Sequence, residues 1–381
     1  MSSPAAVLIT REPVINKQRA ITANRLVLHA PTVPAAVATL NGLADSWPAS
    51  HPVFVSLGRL VPTAELMDWQ MPSNAMVEIP APALAYEQTR NLILQLQAAG
   101  IQMCVSWYSE NAQIPPGAEF RFALADGNKL PQPRNLPGIA IATGLPDLPA
   151  FVRAVQGGYD GASGWFFLQG VPAAKEIAPS HAQIVRLLNL VRNEAEVREI
   201  EAALKQDVAL SYKLLRYINS PAFGLMVEVQ SFRHAVTILG MDKLNKWLSL
   251  LLVSASKDPN APAIMQAAIA RGRFMELIGA PFVEKGQVDN LFITGAFSLI
   301  HVLLGTTPEA VLSEMTLPEP ITDALLRGEG LYKPFLDLAI ASERLDPAAL
   351  QEHVAKLRLR ADTVSQALVA SVAFADSLQF G

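Results

Sequence analysis

The sequence predicts two domains of different class. An α/β domain is expected over residues 1–175 and an all-α domain over residues 176–381. Up to about residue 175, short apolar runs rich in β-formers alternate with helix-like runs, the pattern of a mostly parallel sheet covered by helices. Beyond Glu176–Ser180 only helical periodicity remains. Most of the 28 prolines fall before residue 180, so the punctuating loops belong to the first half.

In chain order, strands are expected at Ala6–Thr10, Ala20–Leu28, Val53–Leu57, Met76–Ile79, Ile101–Val105, Phe120–Leu124, Ile139–Ala142 and Trp165–Leu168. Several are continuous apolar runs, as strands buried on both faces should be. Helices are expected at Val33–Leu43, Thr63–Asp68, Ala83–Ala99 and Leu148–Gln156, with Gly100 at a helix C-terminus. This strand count suggests a barrel. A full eight-unit barrel takes ~250 residues, so in this length some helices must be short or missing.

The second half reads as helices at His181–Arg192, Glu194–Gln206, Asp207–Ile218, Ser231–Leu239, Ala261–Ile278, Asn290–Leu304, Pro308–Glu314, Pro320–Arg327, Pro334–Ser342 and Pro347–Leu378. Leu244, Trp247, Leu248, Leu251 and Leu252 follow the helical spacing i, i+3, i+4, i+7, i+8. The helix after Asp207 is the most explicit. Asp207 can accept orphan N–H bonds, Val208, Ser211, Leu215 and Ile218 form one stripe, and Pro221 and Gly224 stop it.

Composition narrows the function. Hydrophobic residues make up 51% and charged residues 17%, enough for large cores. The net charge of −4 argues against a nucleic-acid surface, which needs a basic stripe. The single cysteine, Cys104, excludes an internal disulfide and a Cys-based zinc cage. Without a basic N-terminal region or a long apolar run, neither signal peptide nor membrane span is expected, and a cytoplasmic setting fits. There is no internal repeat, and no Gly-x-Ser-x-Gly, Walker A or Gly-x-Gly-x-x-Gly motif.

The stretch Asp207-Val-Ala-Leu-Ser-Tyr-Lys-Leu-Leu-Arg-Tyr-Ile-Asn-Ser, then Phe223-Gly224 and Ser231-Phe-Arg-His-Ala-Val-Thr-Ile-Leu-Gly240, resembles the HDOD domain, a divergent relative of the HD metal-dependent phosphohydrolases. The first half is similar to the EAL domain, whose active members hydrolyse cyclic di-GMP. The similarity is carried by Glu12-Pro13-Val-Ile, Val53-Phe-Val-Ser-Leu-Gly-Arg-Leu, Ile139-Ala-Ile-Ala-Thr-Gly-Leu-Pro and Gly158-Tyr-Asp-Gly-Ala-Ser-Gly-Trp-Phe-Phe. An EAL domain before an HDOD domain recurs in a family of two-domain bacterial signalling proteins. The resemblance thus implies a shortened TIM-barrel-like domain followed by an HD-like helical domain.

The EAL resemblance implies carboxylates and an Asn that hold two divalent cations. On this chain those positions fall at Asn24, Ser56, Glu78, Ser106, Trp107, Ala123 and Thr143, with the family's Lys at Arg121 and a substrate-side Gln at Ser163; Pro146 and a residue near Ala81 replace two further glutamates. Only Glu78 keeps a carboxylate, expected either as a partner of Arg121 or as a solvated side chain. One carboxylate cannot hold two hard cations. The implied HD dyad falls at Ser298 and Leu299, which are also poor ligands. His301 is three positions later with no following Asp. His181, His234 and His353 lie on different helices, and Cys104 reads as core. The run Lys356–Arg360 reads as a solvated helix face.

These readings predict no enzyme activity and no cofactor. They point to a regulator or scaffold that binds another signalling protein, with no nucleic-acid or membrane partner and with cyclic di-GMP an improbable ligand. The alternative is a cyclic di-GMP phosphodiesterase or a metal-independent receptor for it. The candidate interaction surface is Tyr212, Arg216, Tyr217, Asn219 and Phe223, where Tyr and Arg could serve as anchors.

Overall fold

A computed structural model of the chain describes residues 7–129, 135–169, 179–205 and 259–378, together with the single positions 219, 229, 234, 240, 245, 246 and 249. The chain forms two compact units. One comprises Met1–Gly170 with Ile340–Ala370, the other Val171–Ala339 with Ser371–Gly381.

The first unit is a closed barrel of eight strands in sequence order: β1 Leu8–Asn16, β2 Ile21–His29, β3 Val53–Ser56, β4 Ala75–Pro80, β5 Met103–Ser106, β6 Phe122–Asp126, β7 Ile139–Thr143 and β8 Gly161–Ser163. β1 runs antiparallel to both neighbours and all other pairs are parallel. A hairpin therefore replaces one crossover helix. Its turn is held by Asn16, whose Oδ1 accepts from Ala20 N at 3.0 Å, with Arg19 at φ 63°.

Crossover helices are α1 Val33–Gly42 after β2, α2 Glu87–Ala98 after β4 and α3 Leu148–Gln156 after β7. Thr32 and Asp147 cap α1 and α3 by accepting from Ala35 N and Ala150 N, each with a proline in the first turn. Short strands and missing helices fit eight strands into this length, as the sequence requires. Thr63–Asp68, expected as a helix, is a five-residue 3-10 segment, Ala64–Asp68.

The eighth strand is not the expected aromatic run Trp165–Leu168, which ends in a 3-10 turn at Phe166–Leu168, but Gly161-Ala162-Ser163. The reason is steric. A Cβ on Gly161 would lie 2.3 Å from Ile15 O, so only a minimal residue lets β8 close onto β1. The aromatics pack beside it, with Phe151 and Phe166 stacked at 5.0 Å. The chain returns to this unit at its end. The helix Pro347–Lys356 packs on β1, and Ser365 Oγ donates to Val7 O at 3.1 Å.

The described helices of the second unit include α4 Pro179–Arg192, α5 Val197–Lys205, α6 Ala261–Gly279, α7 Val288–Phe297 and α8 Ile300–Leu304. α6 is buried along most of its length and packs on α7. Two glycines set their approach: a Cβ on Gly295 would lie 2.7 Å from Gly272 Cα and 2.8 Å from Arg271 O. The single helix expected over Asn290–Leu304 is broken, with Ser298 closing α7 and Leu299 (φ −111°, ψ 1°) starting α8. The helix expected over Pro347–Leu378 is likewise two, Pro347–Lys356 and Ala361–Ser377, separated where Arg358 adopts φ 52°. The basic run Lys356–Arg360 therefore sits on this break and not on a continuous helix face. Arg360 there pairs with Asp362.

Replacing Gly295 by Ala should overpack the α6–α7 crossing and cost about 1–3 kcal/mol. Thermal unfolding of the full chain checks this, and an unchanged melting temperature would contradict the close backbone approach.

Candidate functional site

Along each strand, alternate side chains face the barrel interior. Val14, Ala23, Phe54, Met76, Cys104, Leu124 and Ile141 form one apolar cluster inside it, with Phe122 against it. Two residues further toward the carboxyl ends of the parallel strands lie Arg25, Ser56, Glu78, Ser106, Asp126 and Thr143. Glu12 and Ser163 join them from β1 and β8, since Glu12 is opposite Arg25 and Ser163 opposite Val14. An apolar plug thus closes the barrel and a polar row lies at its mouth, the end where such barrels carry their sites.

The row is organised by Arg25. Its Nε and Nη2 donate to Glu78 Oε2 and Oε1 at 2.7 and 2.8 Å, and its Nη1 donates to Glu12 Oε2 at 2.7 Å. Ser163 Oγ donates to the same Glu12 oxygen at 3.2 Å. The Arg25 and Glu78 side chains are 10% and 2% exposed, so these are bonds with little solvent competition. Burial alone would lower the Arg25 pKa. Glu78, then Glu12, outweigh it through charge and hydrogen bonding, and hold it well above its ordinary value. Burial, and then the Glu78 charge, push the Cys104 thiol well up, so it is inert core.

The structure brings five expected positions together on this inward row: Ser56, Glu78, Ser106, Thr143 and Ser163. It corrects others. Asn24 is one residue out of phase with Ala23 and Arg25 and faces away from the interior, where its Oδ1 accepts from Arg11 Nε at 3.0 Å. Arg121 and Ala123 are also out of phase, flanking the inward Phe122. Arg121 is exposed, its guanidinium 5.8 Å from the Phe122 ring centroid, and is not the partner of Glu78, which is Arg25. A one-residue offset on a strand moves a side chain to the opposite face. Trp107 lies outside the barrel, 68% exposed, at φ 52°. It lines a cleft of ≈ 390 Å³ with Tyr108, Ser109, Glu110, Asp126, Lys129 and Thr143. Arg25 and Glu12 escaped the sequence reading. The available signal was an arginine inside a strand expected to be buried, which demands an acidic partner.

The mouth does not fit a pair of divalent cations. Glu12 and Glu78 both converge on one guanidinium, and hard cations need several oxygen donors each. Among the described residues no group of three or more His, Cys, Asp and Glu is placed to hold a metal.

In the helical unit, Ser298 Oγ accepts from Arg271 Nη1 at 2.7 Å and donates to Gly295 O at 2.6 Å, while Leu299 is buried. A cation thus faces the expected dyad position. Nearby, buried Lys246 donates to Glu276 and Asp289 at 2.6 and 3.2 Å. Asn219 is committed to the backbone, donating to Val229 O at 2.8 Å and accepting from Val229 N at 2.7 Å. Tyr212, Arg216, Tyr217 and Phe223 lie outside the described residues.

Residues 177–303 match the HDOD domain family. Over 221 residues the chain is 28% identical to the Vibrio cholerae protein named cyclic di-GMP phosphodiesterase CdgJ, covering 58% of this chain and 51% of that one. Over 193 residues it is 25% identical to the uncharacterized protein YuxH of Bacillus subtilis, covering 49% and 47%. The chain spans about half the length of these curated relatives. Among solved structures, the EAL domain of FimX from Pseudomonas aeruginosa, bound to c-di-GMP, aligns at 15% identity and TM-score 0.33, covering 43% of this chain and 90% of that one. A standalone EAL protein from Vibrio cholerae, also bound to c-di-GMP, aligns at 10% and 0.31, covering 43% and 91%.

A closed eight-stranded barrel thus precedes the segment that matches the HDOD domain family. No described helix is long and apolar enough to cross a membrane. The expectation that the chain is not an enzyme is corrected by the match to a protein named as a phosphodiesterase; inactivity is not assigned to this chain.

Burial, and then the Arg271 charge, lower the His301 pKa below 6.5. The unfolded chain therefore takes up this proton first as pH falls. The stability His301 contributes is complete above about pH 6.5 and is lost as pH falls from there through the folded-state value. His301→Gln should flatten the fall in melting temperature between about pH 7.5 and pH 5. Identical profiles for variant and wild type would contradict this.

Proposed function

We propose that the chain works in cyclic di-GMP signalling as a regulator whose HDOD domain binds another protein of that system. What carries the reading is the joining, in one chain, of an HDOD domain at residues 177–303 to a barrel that keeps a polar row at its carboxyl-terminal mouth. The 28% identity to a protein named as a cyclic di-GMP phosphodiesterase supports the choice of messenger. The same identity favours a second reading, that the barrel itself binds or cleaves the nucleotide.

Purified proteins of the host's cyclic di-GMP system, presented to the immobilised full chain, should yield one saturable complex that Arg216→Ala/Tyr217→Ala weakens at least tenfold. Equal binding by both forms, or no complex, would count against the regulator. Incubating the full chain with cyclic di-GMP and Mg²⁺ or Mn²⁺, and titrating it calorimetrically, separates the second reading. Turnover or saturable heat would establish it, and neither would remove it.

A further inference from the structure

Glu12 and Glu78 approach each other inside the barrel mouth, and the space between their carboxylates is filled by one side chain. Two carboxylates and one guanidinium leave the group at −1, by 2 × (−1) + 1, if both acids are ionised. Three charge-assisted hydrogen bonds, all at 2.7–2.8 Å, use both oxygens of Glu78 and one of Glu12. Around them are hydroxyl oxygens at Ser56 and Ser163 on the same inward row, the second already bonded to Glu12. Oxygen donors around a buried negative pair are what a hard divalent cation seeks. Here the protein supplies the positive charge covalently.

We propose that Arg25 is the resident cation of the barrel: its guanidinium occupies the place a metal ion would take between Glu12 and Glu78, and its removal turns that pair into a divalent-cation site. The fork geometry matters as well as the charge, because Arg25 bridges β1 and β4 while sitting on β2. The inference concerns what balances the two carboxylates and is independent of the partner and nucleotide readings above.

The test uses the full chain, with Mn²⁺ alone as probe, and reads melting temperature and bound Mn²⁺. Wild type should melt at the same temperature in EDTA and in millimolar Mn²⁺. Arg25→Ala should melt lower in EDTA, by on the order of 10 °C, and should regain part of the loss on binding one Mn²⁺. Arg25→Ala/Glu78→Gln, which removes one charge of the exposed pair, should be more stable in EDTA than Arg25→Ala and should lose the Mn²⁺ response. If Arg25→Ala does not accumulate folded, the double variant should. Failure of both, an Arg25→Ala protein as stable as wild type in EDTA, or wild type binding Mn²⁺ in a manner abolished by Glu78→Gln would each overturn the proposal.

Discussion

A guanidinium buried between two carboxylates is the constraint around which the barrel is arranged. A charge taken from water costs several kcal/mol, recovered only with close, well-oriented partners. Arg25 has such partners from β1 and β4. The antiparallel β1 brings Glu12 to the same end of the barrel as the carboxyl ends of the parallel strands. Had β1 run parallel, its inward residues at that end would have been those near Asn16. The unusual hairpin and the ion pair therefore support one another, and the apolar plug beneath them keeps the local dielectric low.

The helical unit meets a related problem in the same way. Where the HD resemblance implies a metal-holding His-Asp dyad, the chain has Ser298-Leu299, and a guanidinium from the neighbouring α6 donates to the serine. The close approach that allows this comes from Gly272 and Gly295, one on each helix. The hydroxyl is also anchored on Gly295 O, so the same few residues close the crossing, end α7 and seat Arg271. Each unit thus holds a buried guanidinium against oxygen acceptors of neighbouring elements. The consequence is electrostatic. Arg271 depresses His301 after burial has already done so, and Arg25 counters the pull of Glu78 on Cys104.

Much of this was legible in the sequence because it depends on period and punctuation. Apolar runs separated by Pro and Gly gave the strands, and Gly100, at φ 82°, marks the end of the helix before it. What was not legible depends on phase and on close approach. Asn24 and Arg25 are adjacent, and only the register against Phe54 decides which faces inward. Gly161-Ala-Ser has poor strand propensity, yet it closes the barrel because the space beside Ile15 admits nothing larger. The breaks at Leu299 and Arg358 are left without a proline, so helical periodicity runs straight across them. Of the positions resembling metal ligands, Ser56, Glu78, Ser106, Thr143 and Ser163 share the inward row, while the cation between the acids lies one residue from the position the resemblance names.

Chain order and spatial grouping also part company, for a physical reason. The apolar outer face of β1 must be covered, and a hairpin in place of a crossover leaves no helix of its own to do so. The helix Pro347–Lys356 supplies that cover from the far end of the sequence, and Ser365 satisfies the Val7 carbonyl at the start of the barrel. An orphaned buried carbonyl costs about 1–3 kcal/mol, and uncovering apolar strand surface adds to this. The barrel unit is therefore completed only after the helical segment has been synthesised. Its stability is tied to residues 340–370 even though the eight strands of the barrel all lie before residue 164. The economy that lets eight strands fit into so few residues thus rests on helices borrowed from the end of the chain.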